Sequence, residues 1–425
     1  MPLRLRIQLS LMYFVKYFAA GVWMVSLGTY MSKTLEFDSI IATSYSMVGF
    51  ATIIATLFVG MVADRYFDAK RVLTVLSLGA AASLLWLAEI ADSKNVFLMA
   101  MLIHCMFYIS SVPLLAAISF NAMTDPGQQF PAVRAFGSIG WIVGGLLVGM
   151  IPGAAQTTLP MLLGVGAYLT LGVYALTLPR TPPRAKGQKT TVAGVFGLDV
   201  LRKVKDGSFW VFITCVILIV IPKKFYDSFA NMFLTEKGMS FQLGGLVFEP
   251  TAIQTLGQVA EALMLLVIPF LITRIGIKWV MVLGIIGWVT RFALFGFGFD
   301  ADRGIVPMLL TGILLHGLSY DFFFVSGQIY LDRLFGPEMR ARVQAFYWFI
   351  MSGLGVVLGA LVAQQVFGFY TVATGVRDWK SIWLVPAAVS LLVGIWFAWR
   401  FREPPAEQDE APVQPATSGP VAVAR

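Results

Sequence analysis

The chain has 425 residues, 58% of them hydrophobic and only 13% charged, with a formal net charge of +8 and a mean hydropathy of +0.79. A water-soluble fold cannot bury so much apolar surface, which excludes an ordinary cytosolic enzyme, a disordered chain and a nucleic-acid-binding domain. The two cysteines, Cys105 and Cys215, and the two histidines, His104 and His316, are too few for a disulfide framework or a His/Cys metal cluster.

Apolar runs of about 20 residues suit helices that cross a bilayer. Twelve are predicted, at 9–31, 41–63, 72–91, 96–122, 129–151, 158–178, 209–234, 242–272, 278–298, 304–331, 342–368 and 380–400. Arg4 and Arg6 precede the first, and no small-residue cleavage site ends it, so it reads as a retained span rather than a signal peptide. After the second comes Gly60-Met61-Val62-Ala63-Asp64-Arg65, followed by Lys70-Arg71. Asp64 there can cap a helix or pair with a neighbouring cation in one gating state and release it in the other, which makes Asp64, Arg65 and Arg71 gating candidates. The plain alternative is a cation-rich loop.

An ionisable residue within a span costs several kcal/mol unless it faces a cavity or a partner. Lys16 and Arg291 each suit a structural role, paired within a bundle. In the fifth span Arg134, Ser138 and Trp141 share a face, flanked by Gly137, Gly140, Gly144 and Gly145, which allow close helix packing. Arg134 either faces inward or lies near the headgroups. In the seventh, Lys224, Asp227 and Asn231 share a face, as a structural ion pair or as a pocket wall. In the eighth, Gln258 and Glu261 are three residues apart among Leu256, Val259, Leu263 and Leu265, so Glu261 is a candidate proton carrier or is held by a partner such as Arg134. In the tenth, His316, Tyr320 and Asp321 precede Phe322, Phe323 and Phe324, and an aromatic ring beside hydrogen-bonding groups suits a planar polar ligand. Four polar stripes from both halves of the chain imply one shared central cavity.

Cations such as Arg4, Lys70, Arg71, Arg202, Lys203, Arg274, Arg340 and Arg400 fall on the side of both termini, whereas Lys33, Lys94, Lys237, Arg303, Arg377 and Lys380 are nearly alone on the other. That bias predicts cytoplasmic termini. The polar stretch 179–208 divides the spans six and six, giving an N-terminal bundle at 1–178, a cytoplasmic linker, a C-terminal bundle at 209–402 and a disordered tail at 403–425. The loops 63–72 and 273–280 place cations at corresponding points of each half. Parallel six-span repeats are the architecture of the major facilitator superfamily, so the expected fold is an all-α integral membrane protein of 12 transmembrane helices in two six-helix bundles.

Val133-Arg134-Ala135-Phe136-Gly137-Ser138-Ile139-Gly140-Trp141 resembles the fifth-span motif of the bacterial nucleoside:proton symporters within that superfamily. The similarity continues at Ser26–Met31, Ile268-Pro269-Phe270, Gly276-Ile277-Lys278, Arg291–Phe295, Tyr320–Phe323 and Ser326-Gly327, and covers about 9–400. The resemblance implies that Arg134, Ser138, Trp141, Gln258, Glu261, Tyr320 and Asp321 contact a nucleoside or couple it to protons. The sequence departs from the family at Lys224 and Asp227, where the family offers neutral amides, and at His316, where the family can carry tyrosine.

The leading expectation is proton-coupled nucleoside symport by alternating access in the bacterial inner membrane. Arg134, Lys224, Asp227, Gln258 and Glu261 hold the solute, Trp141 and Tyr320 enclose its ring, and Asp321 or Glu261 takes the proton. The alternative is a major facilitator carrying another small polar solute, a sugar derivative or an organic anion. A sensor has no appended signalling domain, and an enzyme has no nucleophile–base pair. No cofactor beyond the proton gradient is expected, and the protein is expected to be a monomer in the bilayer with no nucleic-acid partner.

Overall fold

The computed structural model describes residues 1–58, 67–182, 191–204, 206–301, 303–372 and 375–403. Ten helices there are long and apolar enough to cross a membrane, and Leu159–Ala175 is a shorter apolar helix. One of the ten, Pro250–Phe297, has 48 residues and is broken at Gly276, whose φ of 80° no helix accommodates. Its two arms therefore cross separately, which makes twelve crossings. In chain order they are α1 Leu3–Lys33, α2 Ile41–Phe58, α3 Ala69–Glu89, α4 Lys94–Ala122, α5 Pro126–Gly149, α6 Leu159–Ala175, α7 Gly207–Glu236, α8 250–275, α9 277–297, α10 Val306–Gly336, α11 Arg342–Phe369 and α12 Trp379–Arg400.

Polar residues at the helix starts set several of these boundaries. Asp68, Ser93, Asp125, Asp206 and Asp378 each accept a hydrogen bond from the first turn of the following helix. At α12 the hydrogen bonding of Asp378 to Ser381 holds its carboxyl below the usual carboxylate range. Glu403, just past α12, turns back to accept from the backbone N–H groups of Ile277 and Lys278 at 3.2 and 3.5 Å, capping α9 where Gly276 interrupts the chain. Two short antiparallel ribbons, Phe241–Leu243 with Leu246–Phe248 and Phe299–Asp300 with Arg303–Gly304, sit in the loops after α7 and α9.

The packing is six and six. In the first half α1 lies against α5 and α6, α3 against α4 and α6, and α2 against α4. In the second, α7 packs on α11 and α12, and the α8–α9 arms pack on α10 and α12. The halves meet where α1 touches α7, α2 touches α11 and α5 touches α8. Of the fifth-span glycines, Gly140 and Gly144 lie where α1 and α5 approach backbone to backbone, Gly137 faces the Tyr17 ring, and Gly145 faces Thr255 of α8. A Cβ at Gly140 would stand 2.2 Å from the Phe14 carbonyl oxygen, and one at Gly21 would stand 2.8 Å from Trp141 Cα.

The two halves are tied together at the end opposite the termini. Arg377, between α11 and α12, donates to Ser32 Oγ at 3.0 Å, to Asp38 Oδ2 at 2.8 Å and to Glu236. Glu236 also pairs with Lys33 at 3.0 Å and accepts from Trp379 Nε1 at 2.7 Å. Gln364 of α11 accepts from the Ala42 N–H at 2.8 Å and donates to the Asp38 carbonyl at 3.0 Å, while Glu249 accepts from the Gly153 N–H at 2.9 Å. Among the described residues, the hydrogen bonds and ion pairs between the two helix bundles lie toward this end. The structure is the state closed there.

Candidate transport site

Local backbone breaks place the polar residues. In α10 the helix widens into a π turn at Asp321–Val325, directly after Tyr320. Such turns re-aim side chains that a regular helix would present elsewhere. Glycines bring α8 against α10. A Cβ at Gly317 would stand 2.6 Å from the Ala260 backbone, and one at Gly257 would stand 3.1 Å from His316 Cβ. That approach sets Glu261 opposite His316.

Tyr320 is the meeting point. Around it stand side chains of α7, α8 and α10, three of the four polar stripes anticipated from the sequence. Lys223 Nζ stands 5.8 Å from the Tyr320 ring centroid, and the His316 ring stacks on Tyr320 at 5.9 Å.

The α7 charges form a cluster of three rather than a pair. Lys223 and Lys224 both donate to Asp227 Oδ2, at 2.5 and 3.1 Å. Lys224 is buried, with its ammonium 5.4 Å from the Tyr45 ring. One turn on, Asn231 links both halves: Thr29 donates to its oxygen at 2.6 Å, and its amide donates to Thr251 at 3.0 Å and Gln254 at 2.7 Å. Neither Thr29 nor Gln254 was singled out from the sequence. The available signal was spacing, since Asn231 continues the Lys224–Asp227 face and Gln254 lies one turn before Gln258.

Glu261 pairs with His316 rather than with Arg134, through Nε2 at 3.5 Å. His316 Nδ1 lies 3.0 Å from Arg291 Nη1. A guanidinium can only donate, so Nδ1 accepts and the imidazole proton sits on Nε2, facing Glu261. Arg291 is fully buried and stacks 3.9 Å from the Tyr226 ring. Asp321 is 1% exposed, and neither carboxyl oxygen has a hydrogen-bond partner among the described residues.

Arg134 and Ser138 are exposed on α5, Trp141 and Gln258 are half-buried, and among the described residues no carboxylate pairs with Arg134. Lys16 lies inside the first half, where it donates to Ser111 and to the Tyr108 carbonyl and stands 4.1 Å over the Tyr108 ring. Of the gating candidates, Asp64 and Arg65 lie outside the described residues, and Arg71 is exposed in the first turn of α3. In the described part of that loop Asp68 accepts from Thr181 N–H at 3.2 Å, and Lys70 donates to the Leu176 and Leu178 carbonyls. Both cysteines are buried and free.

Residues 3–406 match the family model described as nucleoside H+ symporter. The chain is 34% identical to YegT of Escherichia coli strain K12 over 93% of both chains, and 30% identical to the xanthosine permease of the same strain over 93% of this chain and 95% of the relative. It superposes on a crystal structure of the nucleoside transporter NupG with a TM-score of 0.83 at 27% identity, covering 94% of this chain and 100% of that one. A fold of twelve crossings in two bundles, a polar centre at their interface and a family match from end to end agree: the chain belongs to the nucleoside H+ symporter family, whose members are membrane transporters and not enzymes.

Proposed function

We propose that the protein takes up nucleosides together with protons by alternating access, in a bacterial inner membrane with both termini cytoplasmic. The observation that carries this reading is Asp321, a buried carboxyl without a hydrogen-bond partner among the described residues, one residue from the ring where α7, α8 and α10 meet. An ionised carboxylate left alone in such a place is costly, whereas the protonated form is neutral. Arg134, Ser138, Gln258 and Glu261 hydrogen-bond the solute, with Lys224 and Asp227 on the facing wall. Tyr320 and Trp141 enclose its ring. Asp321, and Glu261 through its exposed edge, are the proton-coupling groups.

Loading with solute and proton lowers the cost of closing the site, and the bundles 1–178 and 209–402 then rock about it, joined by the linker 179–208. The loop carrying Asp64, Arg65 and Arg71 gates the end at which the termini lie. The working unit is a monomer in the bilayer, driven by the proton gradient.

The test is uptake of labelled uridine and adenosine by purified protein in liposomes, with and without an inward proton gradient. Gradient-dependent accumulation is expected. Folded protein that neither accumulates nor exchanges any nucleoside, with a neutral or an anionic base, would refute the reading.

A further inference from the structure

We propose that the preferred solute is an anionic nucleoside, one whose base carries the negative charge; this rests on the nucleoside reading above and narrows it. The argument is a count of charge at the site. Lys223 and Lys224 share one carboxylate, and both bond the same oxygen of Asp227, so one ammonium of the cluster is uncompensated. Glu261 does not answer it. Its carboxylate faces His316 Nε2, and the His316 ring is tied in turn to Arg291, so the Glu261 charge is matched by the buried guanidinium. Asp321 makes no ion pair among the described residues. One positive charge is left over, on α7.

That charge flanks an aromatic ring: Lys223 Nζ is 5.8 Å from the Tyr320 centroid, and its side chain is 21% exposed. A flat solute stacked on Tyr320 places its base beside this cation. Neutral amides at the α7 positions would offer donors and acceptors without net charge. A lysine pair over one aspartate offers a surplus of positive charge and only donors on its cationic side. Removing a cation from water without a counter-ion is costly, and a neutral base leaves that cost in place while an ionised base removes it. Discrimination follows from the unpaired partner as much as from the new attraction.

The probes are nucleosides and a nucleotide of different charge, competing with labelled uridine in proteoliposomes at neutral pH. Orotidine carries a carboxylate on its base and xanthosine has an ionised base. Uridine and inosine are their neutral counterparts, and uridine monophosphate puts the charge on the sugar side. Orotidine and xanthosine should compete at least about tenfold better than uridine and inosine, the ratio given by about 1.4 kcal/mol. In Lys223→Gln that ratio should fall towards one, and Lys223→Arg should restore it, with thermal unfolding of each variant measured alongside. Equal competition by neutral and anionic bases, or a ratio unchanged in a folded K223Q protein, overturns the proposal. Competition by uridine monophosphate as strong as that by orotidine overturns the assignment of the charge to the base. Uridine transport without anion preference refutes this inference alone, whereas no nucleoside transport by folded protein refutes the reading beneath it.

Discussion

Asp321 and Glu261 are both carboxylates in apolar helices, yet the fold treats them differently. Glu261 has an imidazole at 3.5 Å and a partly open side chain, while Asp321 has neither. In the transport cycle proposed above, the cost of ionising a lone buried carboxyl assigns the proton to Asp321 rather than to Glu261. Asp321→Asn is therefore expected to abolish accumulation driven by a proton gradient while sparing solute exchange, read as counterflow in proteoliposomes. Accumulation at the normal level in that variant would remove Asp321 from the coupling step. The sequence marked both carboxylates as conspicuous. It did not reveal that His316 would take Glu261, because the Gly257 and Gly317 contacts that bring α8 onto α10 lie outside the polar pattern.

At the scale of the element, α5 shows how a site residue depends on packing elsewhere on its helix. Gly140 faces the Phe14 carbonyl, and α1 runs close enough that a methyl group would collide with it. Arg134, Ser138 and Trp141 lie on the same helix, so their depth relative to α7 and α8 is set by that contact. Gly140→Ala is expected to cost about 1–3 kcal/mol through overpacking and to lower the unfolding midpoint of the purified protein. Gly166→Ala in α6, where nothing lies within 4 Å, is the control and should not lower it. An equal response of the two variants would show that the α1–α5 approach yields without cost. The glycine spacing was legible as a packing face. The π turn at Asp321–Val325 was not, since helix periodicity carries no record of one extra residue in a turn.

Across the whole molecule, the end opposite the termini is held shut by charges that loops and helix ends bring together. Arg377 bridges Ser32 and Asp38 of the first half to Glu236 of the second, and its side chain is 10% exposed. Breaking a partly buried network by removing one member leaves its carboxylates uncompensated. Arg377→Gln should therefore shift the population toward the state open at that end. Labelling of S138C by a maleimide measures it: Ser138 is exposed in the present state and both native cysteines are buried, so the labelling rate should fall several-fold in R377Q. An unchanged rate would mean that the knot does not hold this end closed.

The number of crossings, the six-plus-six division and the four polar stripes follow from hydrophobic run length and helical spacing, both local quantities that the chain carries at each point. The family resemblance rested on the same long collinear pattern and agrees with the match over residues 3–406. The partners had to come from the fold: His316 between Glu261 and Arg291, Asn231 linking Thr29 to Gln254, and Arg377 closing one end. Each joins residues on different helices or turns of helix, and their meeting depends on where glycine contacts and backbone breaks set those helices in three dimensions. A buried charge is costly wherever it stands in the sequence, but which group answers it is decided only by what tertiary packing brings within about 3 Å.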